Sequence, residues 1–289
     1  MRIDGRTRTC GLIGNPVEHS VSPVMHNFIA DSLGLPMAYV TFHVQTGDLE
    51  AAVKGAYALN ILGCNVTVPY KSDVLSLLKE VDPLAEKIGA VNTLVRVDGG
   101  YKGYNTDISG LLRAMQGEGI DLSTEEVIIL GAGGVGRAVA YMCAANHAKK
   151  VIIFNRTADK AELLAQEINQ KLATDTVEGK ALEEYHTLSG NGYLAIQSTN
   201  VGMYPKVEHA VIEDEDFYKK VKIGYDLIFN PWETKFMKLV KSQGGQAYNG
   251  LKMLLYQGID AFELWNNCTV PQEVAKKAYE LMKETLLHG

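Results

Sequence analysis

The hexapeptide GAGGVG, Gly131 to Gly136, restricts what this chain can fold into more than any other stretch, because it joins the apolar run VIIL to RAVAYMCAA, a good helix former. It is G-x-G-x-x-G in a strand-turn-helix setting. The first glycine permits the tight turn, Gly133 lets backbone approach a pyrophosphate, and Gly136 lets the helix pack closely on the strand, so that the helix N-terminus faces the phosphates. The alternation continues after Asp107, with strands predicted near Val127 to Leu130, Val151 to Phe154, Leu194 to Gln197, Gly224 to Ile228 and Gln246 to Tyr248. This predicts a doubly wound, dinucleotide-binding domain.

The end of the second of these strands distinguishes two cofactors. An NAD enzyme places an acid there for the ribose 2′-hydroxyl. Here VIIF ends in Asn155-Arg156-Thr157, with Lys160 one helical turn beyond Arg156. A guanidinium binds a 2′-phosphate bidentately and can lie against adenine, so the pattern predicts NADP. A merely solvated arginine at a strand end is the alternative, and the missing acid counts against it.

The chain before Asp107 reads differently. A short strand over Arg8 to Gly14 precedes Ser22-Pro23, a helix start with serine at the cap and proline first. A strand over Ala38 to Val44, a helix over Asp48 to Ala58 and a strand over Gly63 to Val68 come next. Ala90 to Val97, Gly99-Gly100 and Tyr101 to Tyr104 predict a hairpin, with the glycine pair supplying positive φ. Beyond Gly250 come two amphipathic helices, Leu251 to Trp265 and Pro271 to Leu287, and packing back onto the first domain is one option for them. With 289 residues, 46% of them hydrophobic, two domains are expected.

Composition narrows the partners. The balance of 28 basic against 34 acidic residues, net charge -6, with no long basic run, argues against nucleic acid. Cys10, Cys64, Cys143 and Cys268 lie far apart, so reduced packed thiols are expected and no metal site is read from them or from the seven histidines. The start MRIDGRTRTCGLIGNP lacks a signal-peptide apolar core, and no stretch reaches the roughly eighteen apolar residues of a membrane span. A soluble cytoplasmic protein is expected.

Four segments carry polar residues that core packing does not explain. In SVSPVMHN, Ser20 to Asn27, two hydroxyls beside a helix start could hold a carboxylate, although one serine could equally be the cap. NVTVPYK ends in Lys71, AVNT spans Ala90 to Thr93, and NTDISG spans Asn105 to Gly110. Alone, Lys71 reads as a surface lysine and Asp107 as a helix cap. Together they offer a carbonyl reductase an acid for the alkoxide and a carboxylate to orient it.

These motifs, SxSPxxHN, NVTxPxK, AVNT, NTDxxG, GAGGxGRA, NRTxxKA from Asn155 to Ala161, and GLKMLLYQGIDAFELW from Gly250 to Trp265, occur in the order and approximate spacing of shikimate dehydrogenases, and the chain resembles that family over nearly its whole length. The resemblance implies an α/β protein of two domains. A mixed α/β substrate domain takes residues 1–106 with 250–289, and a doubly wound Rossmann NADP domain takes residues 107–249. It implies that Ser20 and Ser22 hold the substrate carboxylate, that Thr67, Asn92, Asp107 and Gln257 bind ring oxygens, and that Lys71 and Asp107 are the catalytic pair, Lys71 also touching substrate. Gly131, Ala132, Gly133, Gly134, Val135 and Gly136 line the phosphates. Asn155, Arg156, Thr157 and Lys160 meet the 2′-phosphate end, and Gly250 also borders the cofactor.

The activity that the resemblance implies is NADP-linked interconversion of 3-dehydroshikimate and shikimate in aromatic amino acid biosynthesis, by a monomer or homodimer. Two positions depart from the family pattern. Phe229 stands where many members have tyrosine, and QSTNVG, Gln197 to Gly202, replaces NATSxG. Three other readings share parts of this pattern. A broader quinate/shikimate dehydrogenase would admit an extra hydroxyl and often use NAD, against which Arg156 and Thr67 argue. A silent NADP-sensing module would not need both Lys71 and Asp107. A methylene-tetrahydrofolate dehydrogenase has similar architecture, but the paired serines and Gln257 favour a small polyhydroxylated acid.

Overall fold

The computed structural model describes residues 3–288. They fall into two units: one runs to Arg113 and resumes at Lys252, and the other spans Ala114–Leu251. Among the described residues no helix is long and apolar enough to cross a membrane.

In the first unit β1 (Arg8–Gly14) pairs in parallel with β2 (Met37–His43) and β3 (Gly63–Val66), and α1 (Ser22–Ser32) and α2 (Leu49–Ala58) make the connections. After β4 (Glu80–Val81) and α3 (Pro83–Ile88), the hairpin of β5 (Thr93–Val97) and β6 (Gly100–Tyr104) adds antiparallel strands, giving the order β2-β1-β3-β5-β6-β4. The hairpin turns at Asp98 and Gly99 rather than at the glycine pair, since Gly100 already pairs with Val97, and Gly99 takes φ +79°. The expected serine cap at Ser22 is also corrected. Val21 occupies the cap position, and Ser20 Oγ accepts from the Ser22 backbone N at 3.2 Å, which satisfies one of the free donors of the first turn.

The histidine of SVSPVMHN is a core residue. His26 stacks on Tyr39 with centroids 4.1 Å apart and tilts toward Trp265, and burial pushes its pKa down to about 3. Asn27 ties α1 to β2 through both backbone groups of Tyr39, donating to its O at 2.9 Å and accepting from its N at 2.8 Å. Ile13, Val53, Val66, Leu94 and Tyr101 belong to the core on one face of this sheet.

Two helices that come after the second unit in the chain complete the first. In α9 (Leu251–Asn266) the Trp265 indole donates to the Leu94 carbonyl at 2.9 Å, and α10 (Gln272–His288) packs on α1. Against α9 lies α4 (Thr106–Gly117). A Cβ on Gly110 of α4 would overlap the Gln257 backbone, so glycine permits this close crossing. Arg113 and Ser109 of α4 both donate to Asp260 of α9, and the Arg113 guanidinium lies over the Tyr256 ring at 4.9 Å.

The second unit contains β7 (Glu126–Leu130), α5 (Gly134–Ala145), β8 (Lys150–Asn155), α6 (Ala158–Leu172), β9 (Val177–Ala181), β10 (Tyr193–Gln197), α7 (Glu215–Tyr218), β11 (Val221–Asp226), α8 (Lys235–Ser242) and β12 (Gln246–Tyr248). Every pairing is parallel, in the order β12-β11-β10-β7-β8-β9. This is the doubly wound order, with the direction of winding reversing between β7 and β10, where such sheets bind ligands beyond their carboxyl ends. The central strands β7 and β10 are buried almost throughout, which is why they read as apolar runs.

Candidate active site

Within the first unit, residues far apart in sequence meet around Asn92. Thr67 comes directly after β3, with its backbone N donating to Ile13 O at 2.9 Å, and the chain then turns through Pro69 to Lys71. Asn105 starts α4 by accepting the Asp107 backbone N at 3.1 Å, which leaves the Asp107 carboxylate to face Lys71. The ammonium donates to Asp107 Oδ2 at 2.7 Å, with both side chains part-buried. Asn92 is 2% exposed. Its Nδ2 lies 3.0 Å from Asp107 Oδ1, 3.0 Å from Thr106 Oγ1 and 3.3 Å from Gln257 Oε1. Its Oδ1 accepts the Thr106 backbone N at 2.7 Å, fixing the orientation of the amide.

Of the residues expected at the substrate, Lys71, Asp107, Asn92 and Gln257 thus form one connected cluster. Ser20 and Ser22 stand together at the start of α1, Ser22 buried and Ser20 partly exposed. Behind Asn92 lies a second layer that the sequence did not announce. Asn65 of β3 donates to Asn92 O at 3.3 Å and to Thr93 Oγ1 at 3.1 Å, and accepts from the Tyr39 hydroxyl at 2.8 Å. A buried network with its donors and acceptors paired in this way holds its members in one arrangement.

In the second unit the glycine turn has the geometry a dinucleotide phosphate needs. Gly131 takes φ +113°, and a Cβ there would come within 2.7 Å of Thr199 Cγ2. Gly133, Gly134 and Val135 are exposed at the N-terminus of α5, and nothing lies within 4 Å of where side chains on the two glycines would begin. Backbone N–H groups are therefore open to an anion. Ala132 N donates to Asn155 Oδ1 at 3.2 Å, so Asn155 couples the turn to the end of β8. A cleft of about 830 Å³ runs from Gly131 past Arg156 to the loop at residues 198–206 and His209. Arg156, Thr157 and Lys160 are exposed, and Gly250 N donates to Ile228 O at 3.0 Å just before α9. The open turn and a guanidinium on the cleft wall fit a phosphorylated dinucleotide.

Two fully buried residues in this unit form a pair that the sequence did not show. Gln197 ends β10 and Asp226 ends β11, side by side in register. Burial pushes Asp226 up to about 7, although hydrogen bonds from Thr234 and the Ile228 backbone pull the other way. The unfolded chain gives up this proton near the ordinary carboxylate range while the folded one holds it until about pH 7. The stability contributed by the protonated form is therefore present below about pH 4 and lost as pH rises through about 7. The stability difference between wild type and Asp226→Asn, measured by urea unfolding, should drift in the variant's favour by a few kcal/mol over that window. A difference that stays constant with pH would contradict the titration.

Comparisons with known proteins give the family. Three family models match: the shikimate dehydrogenase substrate binding domain over residues 12–94, shikimate / quinate 5-dehydrogenase over residues 113–204, and the shikimate 5′-dehydrogenase C-terminal domain over residues 250–278. A shikimate dehydrogenase (NADP(+)) of Desulforamulus reducens is 41% identical over 284 residues, covering 95% of each chain. The chain belongs to the shikimate dehydrogenase family. Among solved structures of this kind, a shikimate dehydrogenase in complex with NADP+ is 39% identical, with a TM-score of 0.87 and 96% of each chain covered. The Listeria monocytogenes shikimate 5-dehydrogenase, in complex with shikimate and NAD, is 35% identical with a TM-score of 0.86, covering 96% of this chain and 98% of that one. A quinate dehydrogenase from Corynebacterium glutamicum, in complex with NAD, is 29% identical with a TM-score of 0.85, covering 96% of this chain and 99% of that one.

Proposed function

We propose that this chain is an NADP-dependent oxidoreductase that interconverts 3-dehydroshikimate and shikimate, with acid-base assistance from Lys71 and Asp107. The observation that carries the reading is the Lys71–Asp107 contact of 2.7 Å, tied through Asn92 to Gln257. A lysine whose ammonium is oriented by a carboxylate can give a proton to a ketone oxygen as it becomes an alkoxide, and can take it back in the reverse direction. When bound, NADPH would supply the hydride and, in the reverse direction, NADP+ would receive it.

The remaining residues bind and orient. Ser20 and Ser22 hold the substrate carboxylate, and Thr67, Asn92 and Gln257 bind ring oxygens. In the second unit the backbone from Gly131 to Gly136 receives the pyrophosphate, Asn155 and Thr157 border the adenosine, Arg156 and Lys160 pair with the 2′-phosphate, and Gly250 borders the cofactor. The enzyme acts in the cytoplasm in aromatic amino acid biosynthesis, as a monomer or homodimer.

The rival reading is a quinate/shikimate dehydrogenase of broader range, favoured by the family description over residues 113–204, which names both substrates. NADP(H)-linked turnover of shikimate beside quinate, each repeated with NAD, decides between them. An NADP-dependent shikimate enzyme should show its highest kcat/KM for shikimate with NADP. Comparable turnover of quinate with NAD would give the rival the better case.

A further inference from the structure

We propose that Asp226, acting through the Gln197 carboxamide, is a positioning residue that fixes the loop at residues 198–202 forming one wall of the cofactor cleft; the proposal rests on the dehydrogenase reading above. Gln197 and Asp226 end neighbouring parallel strands, and both are fully buried. The carboxamide reaches into the loop with both its atoms. Gln197 Oε1 accepts from Thr199 N at 2.5 Å and from Thr199 Oγ1 at 2.7 Å, while Nε2 donates to Val201 O at 3.1 Å and to Asp226 Oδ1 at 3.3 Å.

A carboxamide could be placed either way round, and Asp226 decides which. Its Oδ1 also accepts the Ile228 backbone N at 2.9 Å, so this oxygen serves as an acceptor, while Oδ2 accepts from the Thr234 hydroxyl at 2.6 Å. The Gln197 NH2 must therefore face Asp226, and its oxygen must face Thr199. Reversed, the amide would set oxygen against oxygen at Asp226 and Val201, and nitrogen against the Thr199 N–H.

The surroundings of the loop give this arrangement a function. Ser198 Oγ donates to Leu130 O at 2.9 Å, at the end of the strand leading into the glycine turn. Thr199 packs over Gly131, and Ser198, Thr199 and Met203 line the cleft with Gly133 and Arg156. A shift of the loop therefore displaces the surface on which the cofactor lies.

The test is NADPH binding by fluorescence titration on the full chain, with kcat, KM for NADP, KM for shikimate and melting temperature measured in parallel. Gln197→Met keeps the size and removes every hydrogen bond, and Asp226→Leu removes the acceptor. Each should weaken NADPH binding by about tenfold or more, with KM for shikimate changing by about twofold at most. Asp226→Asn keeps an acceptor for Gln197 and Ile228, so its affinity should stay within about threefold of wild type. If the apolar variants fail to fold, Thr199→Val removes only one hydroxyl and should weaken binding by about threefold or more. Folded Gln197→Met or Thr199→Val proteins that bind NADPH as wild type does, or an Asp226→Asn protein as impaired as Asp226→Leu, would overturn the positioning role alone. Wild-type protein that binds no NADPH would overturn the dehydrogenase reading itself.

Discussion

Lys71→Ala is expected to lower kcat by about two to four orders of magnitude, the usual weight of one general acid/base group. The substitution removes the ammonium that donates to Asp107 Oδ2. Asp107 keeps its contact with Asn92 Nδ2, and both members of the ion pair are only part-buried, so the fold should tolerate the loss. Ser20, Ser22 and Gln257 remain, and KM for shikimate should move far less than kcat. If Lys71 and Asp107 act as the proposed unit, a second substitution, Asp107→Asn, should add much less than its separate effect. Steady-state oxidation of shikimate at saturating NADP+, with melting temperatures to confirm folding, makes the measurement. A Lys71→Ala enzyme that keeps more than about a tenth of the wild-type kcat would remove lysine from the mechanism.

How much of this could be read from the chain depended on where each residue's partners lie. The strands VIIL and VIIF were legible because central parallel strands are buried on both faces and so read as uninterrupted apolar runs. The edge strand β9, VEGKA, was not, since only Val177 in it is fully buried and no period of two emerges. In the first unit α3 carried signals that went unread. Asp82 accepts from Leu84 N, Pro83 opens the helix, and Gly89 closes it at φ +75°.

The site divides in the same way. Lys71, Asn92 and Asp107 lie in three separate segments, and no local period brings them together; their chemistry paired Lys71 with Asp107, the family resemblance added Asn92, and a contact between residues 71 and 107 is visible only in the folded chain. Asn105 and Thr106 were quoted as part of NTDISG, yet their work of capping α4 and orienting Asn92 depends on backbone positions. In the sequence Gln197 reads only as a strand end opening the departing stretch QSTNVG, and Asp226 only as a residue within the predicted strand Gly224 to Ile228. Their partnership comes from sheet register, which pairs strands separated by a long crossover.

The cofactor prediction with the largest effect concerns Arg156. It is exposed at the end of β8, lines the cleft, and occupies the position where an acid would hold a ribose 2′-hydroxyl and repel a 2′-phosphate. Wild type should prefer NADP. On the proposed reading Arg156→Asp replaces a bidentate cation with a negative charge facing the phosphate, so kcat/KM for NADP should fall by about two to three orders of magnitude, the scale of like-charge juxtaposition at a contact. For NAD, which lacks that phosphate, the change should be small, and the new carboxylate could accept from the ribose hydroxyl. The preference should therefore narrow or reverse. Lys160, one turn into α6 and also exposed, is the residue that would blunt the effect, so Arg156→Asp with Lys160→Ala should go further than Arg156→Asp alone. The measurement is kcat/KM for both cofactors at saturating shikimate in wild type and variants. A wild type that already favours NAD, or a ratio unchanged in Arg156→Asp, would mean that Asn155-Arg156-Thr157 does not read the phosphate, and the broader quinate/shikimate reading would then explain the site better.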